Sequence, residues 1–292
     1  MQKYDLNINQ IIRDISDCKF NKNKKFSRKI FMYWDAGISF APDVVYLTWM
    51  LARKNNPDYD VIMLDAKSIE GYFPYRQRIL SSVTAEIKEA HFADILRTYL
   101  LLMHGGVWID ASCFVMAPFS SWLDEIVDDF GYFIGRSNSF SDRRIMNWFL
   151  ASQSGSAVFS LVLEKLMRFF TKERDVRLDL TFSPEKFCPA ELIGPDITDF
   201  RAVAEIERHG KFPYFIYHYA WNDVMNENES LRQHFVGMPA IRAPVIKLNR
   251  RLFSNVKFFK NRSENLELDR SAVQSNLDLP SAVKDMILTN FG

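Results

Sequence analysis

The sequence predicts an α/β fold, in which a largely parallel β-sheet carries helices on both faces and further helices follow towards the C-terminus. Two apolar runs, 29–34 and 59–65, have the composition of buried strands. Between them, 42–55 has apolar residues at helical spacing. A strand–helix–strand order favours parallel pairing of the two strands. A helix over 90–104 and a short strand over 107–109 continue the alternation.

The remaining segments extend this plan without internal repeats or low-complexity stretches. The other predicted elements are a short helix over 1–17, strands over 131–135, 147–152 and 214–219, helices over 156–170 and 281–290, and loops with short helices over 171–210. We predict three parts in the chain. An N-terminal helix and basic arm span 1–28, a core α/β domain spans 29–250, and a basic, aromatic segment with a final helix spans 251–292.

The composition is that of a globular protein with a sizeable core. Of 292 residues, 48% are hydrophobic and 25% are charged. A net charge of +1 gives no reason to expect nucleic acid as a partner. Cys18, Cys113 and Cys188 are odd in number, widely spaced and without a CxxC pair. They therefore favour neither a disulfide framework nor a zinc ribbon, and a reducing compartment fits them best.

The N-terminus lacks the apolar core of a signal peptide, and no apolar run approaches the roughly 18 residues of a membrane-spanning helix. These features predict a cytoplasmic protein. Within 250–262, however, basic residues alternate with aromatic ones and no acid interrupts them: Arg250, Arg251, Lys257, Lys260 and Arg262. Such a segment predicts either peripheral contact with an anionic membrane surface or a solvated loop beside a packed strand.

The most informative stretch is a helix that stops at a double glycine and runs at once into a short strand. Asp94 and Arg97, three residues apart, project from one face of this helix. Gly105 can adopt the left-handed conformation that ends a helix, and Gly106 permits a tight reversal. Asp110 follows the strand, where ligands of open α/β sheets bind. Local geometry therefore brings two carboxylates and a guanidinium towards one crevice.

Each candidate site residue also has a purely structural interpretation. Asp110 can hold Mg²⁺ or Mn²⁺ or accept hydrogen bonds from hydroxyls, or it can simply cap a turn. Asp94 and Arg97 can form an ordinary surface ion pair. Trp34 follows the first strand, where an indole can stack on a nucleobase or pack in the core. His218 is a candidate metal ligand or a hydrogen-bonded core histidine.

In this stretch the chain resembles the DXD-type sugar-nucleotide transferases, in the branch of capsular polysaccharide synthesis proteins. That branch is related to yeast-type mannosyltransferases and to the glucosylating clostridial toxins. The family pattern is Asp-x-x-Arg on a helix, Gly-Gly, a strand with an aromatic residue, and Asp-x-Asp. It is matched by Asp94, Arg97, Gly105, Gly106, Trp108 and Asp110. Ser112 stands where the second Asp of the family pattern would be.

The resemblance implies a GT-A-like, Rossmann-type sheet, with 29–250 as the catalytic domain. It implies a bacterial, retaining hexosyltransferase that uses a nucleotide-sugar, preferably a UDP-sugar. The acceptor would be a capsular or surface polysaccharide or a lipid-linked glycan, which places the enzyme in the cytoplasm or at the inner face of the membrane. Two alternatives remain open: a toxin-like protein glycosyltransferase, and a non-catalytic module that binds sugar nucleotides or glycans.

The resemblance also implies roles for individual residues. The residues expected to bind the donor are Trp34, Asp94, Arg97, Gly106, Asp110 and Ser112. The expected catalytic residues are Asp94, Arg97 and Asp110. A divalent cation, Mn²⁺ or Mg²⁺, is expected on Asp110, Ser112 and His218. Because serine is a weaker oxygen ligand than aspartate, the sequence leaves the requirement for this metal open.

Overall fold

The computed structural model describes residues 26–137, 142–188, 198–243, 245–246, 256–261 and four residues of the C-terminal segment. Ten strands lie in the described residues: β1 Lys29–Tyr33, β2 Asp60–Leu64, β3 Gly106–Ile109, β4 Cys113–Val115, β5 Tyr132–Arg136, β6 Ile145–Ser152, β7 Asp179–Thr181, β8 Lys211–Pro213, β9 Val245–Ile246 and β10 Phe258–Asn261. The eight α-helices of this part are α1 Asp43–Asn55, α2 Arg76–Ser82, α3 Glu89–His104, α4 Leu123–Phe130, α5 Ala157–Thr171, α6 Phe200–Glu207, α7 Ile216–Glu227 and α8 Glu229–Gly237.

The central sheet has the strand order β2-β1-β3-β6-β5. Strand β1 pairs in parallel with both β2 and β3, as the strand–helix–strand order predicts. Strand β6 runs antiparallel to β3 and to β5. Two small sheets accompany it, one of order β4-β10-β9 and one that pairs β7 with β8. The carboxyl ends of β1, β2 and β3 therefore meet the start of β6 at one edge of the central sheet.

Helices and short elements cover both faces of this sheet. On one face, Phe31 of β1 contacts His104 of α3, and Tyr33 contacts Phe92 of the same helix. On the other face, Phe149 of β6 stacks on Phe258 of β10 with ring centroids 4.1 Å apart. Apolar side chains alternate between the two faces along each strand, so burial on both sides follows from the period of the strand. The predicted α/β fold, with helices on both faces and additional helices after the sheet, is confirmed.

The double glycine ends α3 as the sequence predicts. Gly105 has φ 64° and Gly106 has φ 97°, both in the left-handed half of backbone space. A Cβ at position 106 would lie 2.6 Å from the carbonyl oxygen of Lys29 in β1. Gly106 is thus required by the close approach of two strands.

The predicted strand over 214–219 is wrong, because α7 begins at Ile216 and continues to Glu227. Aromatic and β-branched residues favour strands, and this segment is rich in both. Every residue of α7 from Ile216 to Asn222 is buried, so no polar stripe of helical period marks the sequence. The predicted strand over 147–152 is confirmed and starts two residues earlier, at Ile145.

Several predicted segments lie wholly or partly outside the described residues. The helix over 1–17 is outside them, as is most of the arm over 1–28. Of the helix predicted over 281–290, only four residues are described, and all four are helical. Within 251–292, β10 joins the fold through antiparallel pairing with β4, and its Phe258 and Phe259 are fully buried. None of the described helices is long and apolar enough to span a bilayer.

Candidate functional site

The candidate site forms where the carboxyl ends of β1 and β3 reach the edge of the central sheet. Trp34 follows β1, and its backbone N–H donates to the carbonyl of Leu64, 2.9 Å away. Asp110 follows β3, and its N–H donates to the carbonyl of Trp148 at 2.9 Å. Parallel neighbours end at the same edge of a sheet, so the residue after each strand is brought to one crevice.

Arg97 of α3 lies between two carboxylates. Its guanidinium is 3.3 Å from Asp94 Oδ1 and 3.2 Å from Asp110 Oδ1, and its side chain is only 5% exposed. The guanidinium also donates to the carbonyls of Ala93 and Asn147 and lies over the ring of Trp108. The alternative of a solvated surface ion pair is therefore wrong for Asp94 and Arg97, because both side chains are buried.

Asp110 has three side-chain partners. Trp108 Nε1–H donates to Oδ1 at 3.0 Å, Arg97 contacts the same oxygen, and Lys260 Nζ lies 2.5 Å from Oδ2. Lys260 comes from β10, 150 residues further along the chain, where it pairs in register with Cys113. The Asp110 side chain is 19% exposed, so it remains reachable from the crevice.

The electrostatic environment gives the carboxyl groups of Asp94 and Asp110 different pKa values. Burial raises the pKa of Asp94 to about 6, and this effect outweighs the opposing charge of Arg97. Burial also acts to raise the pKa of Asp110, but Arg97 and Lys260 together hold that pKa below its usual value. Asp110 is therefore ionised at neutral pH, while Asp94 titrates close to the physiological range.

Arg97 and Asp110 form a shared wall between two cavities, each of about 430 Å³. The first, which we call the Trp34 cavity, has mainly aromatic and small apolar walls with carboxylates at its rim. Its lining residues are Tyr33, Trp34, Asp35, Ala36, Val45, Glu89, Ala90, Ala93, Arg97, Trp108, Asp110, Ala111 and Ser112. An aromatic cavity of this kind suits a planar heterocycle.

The second cavity, which we call the His218 cavity, is more polar. Its lining residues are Ala90, Asp94, Arg97, Asp110, Ser137, Arg143, Ile145, Asn147, Trp148, Tyr214, Phe215, His218 and Lys260. Burial lowers the pKa of His218 to about 3, with help from the positive charges of Arg143 and Arg97, so the imidazole is neutral at physiological pH. Its Nδ1 is buried without a hydrogen-bond partner. The charged and amide side chains among the lining residues suit a ligand rich in hydroxyl groups.

The structure brings most of the predicted site residues to these two cavities. Trp34 and Ser112 line the Trp34 cavity, and Asp94 and His218 line the His218 cavity. Arg97 and Asp110 line both.

Gly106 lines neither cavity, because it begins β3 while Asp110 follows its end. The structure therefore gives Gly106 a role in strand packing, and its predicted part in donor binding stays a prediction.

The predicted metal site depends on the donor atoms that surround Asp110. Ser112 lines the Trp34 cavity and His218 lines the His218 cavity, so the two residues predicted to share a cation with Asp110 face different cavities. Among the described residues, no group of three His, Cys, Asp or Glu side chains is placed to hold a metal ion. Both oxygens of Asp110 already contact cationic side chains. The residues present do not fit a divalent cation of the DXD type, which prefers several oxygen ligands.

Sequence reasoning missed several residues that line the His218 cavity. Asn147 donates from Nδ2 to Asp94 Oδ1 at 3.1 Å, and Arg143 stacks over Phe215 with 4.3 Å to the ring centroid. The sequence predicts Lys260 either at an anionic membrane surface or in a solvated loop beside a packed strand, but its ammonium group contacts Asp110. No local motif marks these residues, because each reaches the site through strand pairing or packing of distant segments.

A family model described as capsular polysaccharide synthesis protein matches residues 3–181, more than half of the 292-residue chain. The chain therefore belongs to the capsular polysaccharide synthesis protein family. This membership confirms the resemblance inferred from the sequence, and with it the prediction that the chain is an enzyme of the glycosyltransferase class. A comparison with proteins of curated function finds no match.

Seven chains of solved structures match this one, and among them is the protein described as PaToxG Glycosyltransferase. It is 15% identical, with a TM-score of 0.38, and the match covers 80% of this chain and 85% of that one. This likeness is loose, so the fold is defined here by the protein's own sheet order and register.

Proposed function

We propose that this family member transfers a hexose from a nucleotide-sugar, preferably a UDP-sugar, to a capsular or surface polysaccharide or to a lipid-linked glycan. One observation carries the proposal. A buried Arg97 and an ionised Asp110 separate an aromatic cavity from a polar one at the carboxyl ends of the parallel strands β1 and β3. A nucleotide-sugar has the same division, with a planar base at one end, a hydroxylated ring at the other and two phosphates between.

The nucleoside would bind in the Trp34 cavity. The indole of Trp34 is half-buried there, and aromatic side chains gain about 1–3 kcal/mol from stacking on a base. The carboxylates of Asp35 and Glu89 at the rim can accept hydrogen bonds from ribose hydroxyls or from the N–H groups of a base. Ser112 would contribute its hydroxyl beside Asp110.

The hexose would bind in the His218 cavity. Asp94 and Arg97 would orient its hydroxyls, since together they offer an acceptor and a fixed set of donors. The neutral imidazole of His218 lines the same cavity. Asp94 is positioned by Asn147 and by Arg97, so its carboxylate is held in one geometry before the sugar arrives.

The reaction breaks the bond between the anomeric carbon and the diphosphate oxygen, and the electron pair leaves with the diphosphate. The acceptor hydroxyl oxygen forms the new bond to the same carbon, and its proton passes to the departing diphosphate. Attack from the face that the diphosphate leaves would retain the anomeric configuration. Arg97 stabilises the negative charge that develops on the leaving group, in a site where little water weakens the interaction.

The test is nucleotide release from a panel of UDP- and GDP-hexoses, with and without an oligosaccharide acceptor. We expect release from one donor, and a loss of at least about 100-fold in Asp110→Asn, which removes the charge and keeps the shape. Asp128→Asn, in α4 outside both cavities, is the matched control and should retain wild-type turnover.

Donor binding without turnover under every condition would instead identify a non-catalytic module that binds nucleotide-sugars. Labelling of a protein acceptor in place of a glycan would identify a protein glycosyltransferase. The predicted cytoplasmic location at the inner face of the membrane stays part of the proposal, and co-sedimentation with anionic vesicles tests it.

A further inference from the structure

We propose that Lys260 acts as a built-in cation on Asp110 and, together with Arg97, neutralises the diphosphate of the donor without a divalent metal ion. This inference rests on the proposed function and assigns a residue that the family pattern does not contain. It is carried by the contacts of Asp110, by the register of β10 and by the distribution of charge in the His218 cavity.

The register of β10 places Lys260 at the site. Lys260 pairs with Cys113, the first residue of β4, and β4 begins directly after the turn that holds Asp110. The backbone N–H of Cys113 donates to the carbonyl of Asp110 at 2.8 Å, which fixes that turn. The neighbours of Lys260 on the strand, Phe258 and Phe259, are fully buried, so β10 is anchored from both faces.

The contacts of Asp110 leave little room for a metal ion. Oδ2 contacts the ammonium of Lys260 at 2.5 Å, while Oδ1 accepts from Trp108 and contacts Arg97. A divalent cation on this carboxylate would have to displace Lys260 and would then lie beside Arg97. Repulsion between cations at such distances is strong in a partly buried site.

The substitution at the second position of the motif fits the same account. Ser112 supplies no negative charge, so a cation at Asp110 would meet one carboxylate where the family pattern supplies two. A lysine needs only one carboxylate, because one negative charge is sufficient to pair one ammonium group. A serine at position 112 and a lysine at position 260 therefore both favour an ammonium group over a divalent cation on Asp110.

The His218 cavity carries the excess positive charge that a diphosphate needs. Arg97, Arg143 and Lys260 line it, against the carboxylates of Asp94 and Asp110. Lys260 offers three N–H donors, of which Asp110 uses one, so it can bind Asp110 and a phosphate oxygen at once. Charge-assisted hydrogen bonds of this kind are the strongest that a side chain forms with phosphate.

The experiment measures binding of UDP, GDP and the corresponding nucleosides by calorimetry, in EDTA and in Mn²⁺. For the wild-type protein we expect the same affinity for the preferred diphosphate, within about twofold, in both conditions. Lys260→Met should weaken diphosphate binding at least about tenfold and leave nucleoside binding within about twofold. If the role of Lys260 were purely structural, Lys260→Met would weaken binding of the diphosphate and of the nucleoside alike.

Lys257→Met is the matched control, because Lys257 lies three residues earlier, over the ring of Trp122 and away from both cavities. It should bind the diphosphate as the wild type does. Lys260→Arg keeps the charge and should recover most of the lost affinity.

The inference is overturned if EDTA abolishes diphosphate binding to the wild-type protein and Mn²⁺ restores it, whether or not Lys260→Met folds. It is overturned equally if Lys260→Met binds the diphosphate normally. Failure of the proposed function has a different signature, since no nucleoside diphosphate of either kind would then bind in either condition.

Discussion

The Trp34 cavity and the His218 cavity have similar volumes and share Ala90, Arg97 and Asp110, but their remaining residues differ in chemistry and in origin. The Trp34 cavity combines aromatic walls with carboxylates, and its lining comes from the ends of β1 and β3, from α1 and from the start of α3. The His218 cavity adds Arg143 and Lys260 as cations and takes its lining from segments spread over most of the chain.

The difference indicates how one sheet edge can bind the two ends of an asymmetric ligand. An apolar slot recognises a planar base by stacking, while a polar cavity with paired charges recognises hydroxyls and phosphate. The shared wall is then the position of the bond that breaks. Variants in the wall should disturb both cavities, and variants on either side should disturb only one.

The largest effect is expected for Arg97→Met, in the shared wall. Its removal would leave Asp94 and Asp110 buried without their common partner, which costs about 3–5 kcal/mol of the free energy of unfolding. Urea denaturation followed by circular dichroism measures this loss. Arg208→Met is the matched control, because Arg208 also pairs with an acid three residues earlier but is 74% exposed. Arg208→Met should lose less than about 1 kcal/mol of the free energy of unfolding. Equal losses in Arg97→Met and Arg208→Met would show that the shared wall is not a buried network.

A pH series tests the His218 cavity through Asp94. The pKa of this carboxyl is about 6 in the folded protein, against an ordinary value of 3.8. The folded state binds this proton more tightly than the unfolded chain does, so its contribution to stability is fully present below pH 4 and is lost as the pH rises through 6. The free energy of unfolding of the wild type, minus that of Asp94→Asn, should therefore fall by up to about 3 kcal/mol from pH 4 to 7.

Asp199→Asn is the control for that series. Asp199 is buried, which acts to raise its pKa, but hydrogen bonds from Arg201 and Asn226 hold the pKa below its usual value. Its stabilising contribution is present above its ordinary pKa and is lost only as the pH falls further. The free energy of unfolding of the wild type, minus that of Asp199→Asn, should therefore stay constant from pH 5 to 7. A flat profile for Asp94 as well would contradict the electrostatic account of the cavity.

Trp34→Ala tests the Trp34 cavity alone. Loss of stacking on the base should weaken binding of the nucleoside diphosphate by about 10- to 100-fold. Turnover at saturating donor should stay within about threefold, because Trp34 does not line the cavity assigned to the hexose. Steady-state kinetics and calorimetry separate the two effects. Trp49→Ala removes an indole outside both cavities and should leave donor affinity unchanged, whereas a loss confined to turnover in Trp34→Ala would overturn the assignment of the base.

The smallest effect is expected for Asn147→Ala, which removes the hydrogen bond from Nδ2 to Asp94. That bond lowers the pKa of Asp94, so the variant should move the pH window of Asp94 upward and cost about 1 kcal/mol of stability. The pH series above, repeated in this background, measures the shift. Asn226→Ala removes the equivalent hydrogen bond to Asp199 and should leave unchanged the pH range over which Asp94 affects stability.

The two cavities also differ in how far the sequence predicts them. Asp94, Arg97 and Asp110 lie within 17 residues of one another, and Trp34 follows a strand that is easily identified. Helix period, the double glycine and the meeting of parallel strand ends are sufficient to bring these side chains together. The Trp34 cavity, the shared wall and Asp94 therefore follow from local patterns.

The polar half depends on contacts that local patterns do not contain. Lys260 reaches Asp110 only through the register of β10 against β4, and nothing in the segment 250–262 specifies that pairing. Asn147 and Arg143 depend on antiparallel pairing of β6. His218 was assigned to a strand, because the buried start of α7 lacks the polar stripe that indicates a helix.

The most direct test of the central claim is a crystal structure of the protein with its preferred nucleotide-sugar bound. The account predicts the base against Trp34, the hexose in the His218 cavity, and the phosphate oxygens within hydrogen-bond distance of Arg97 and Lys260. A donor bound outside both cavities would contradict the proposed function. A metal ion on Asp110, with Lys260 displaced, would leave that function in place and contradict the role of the lysine.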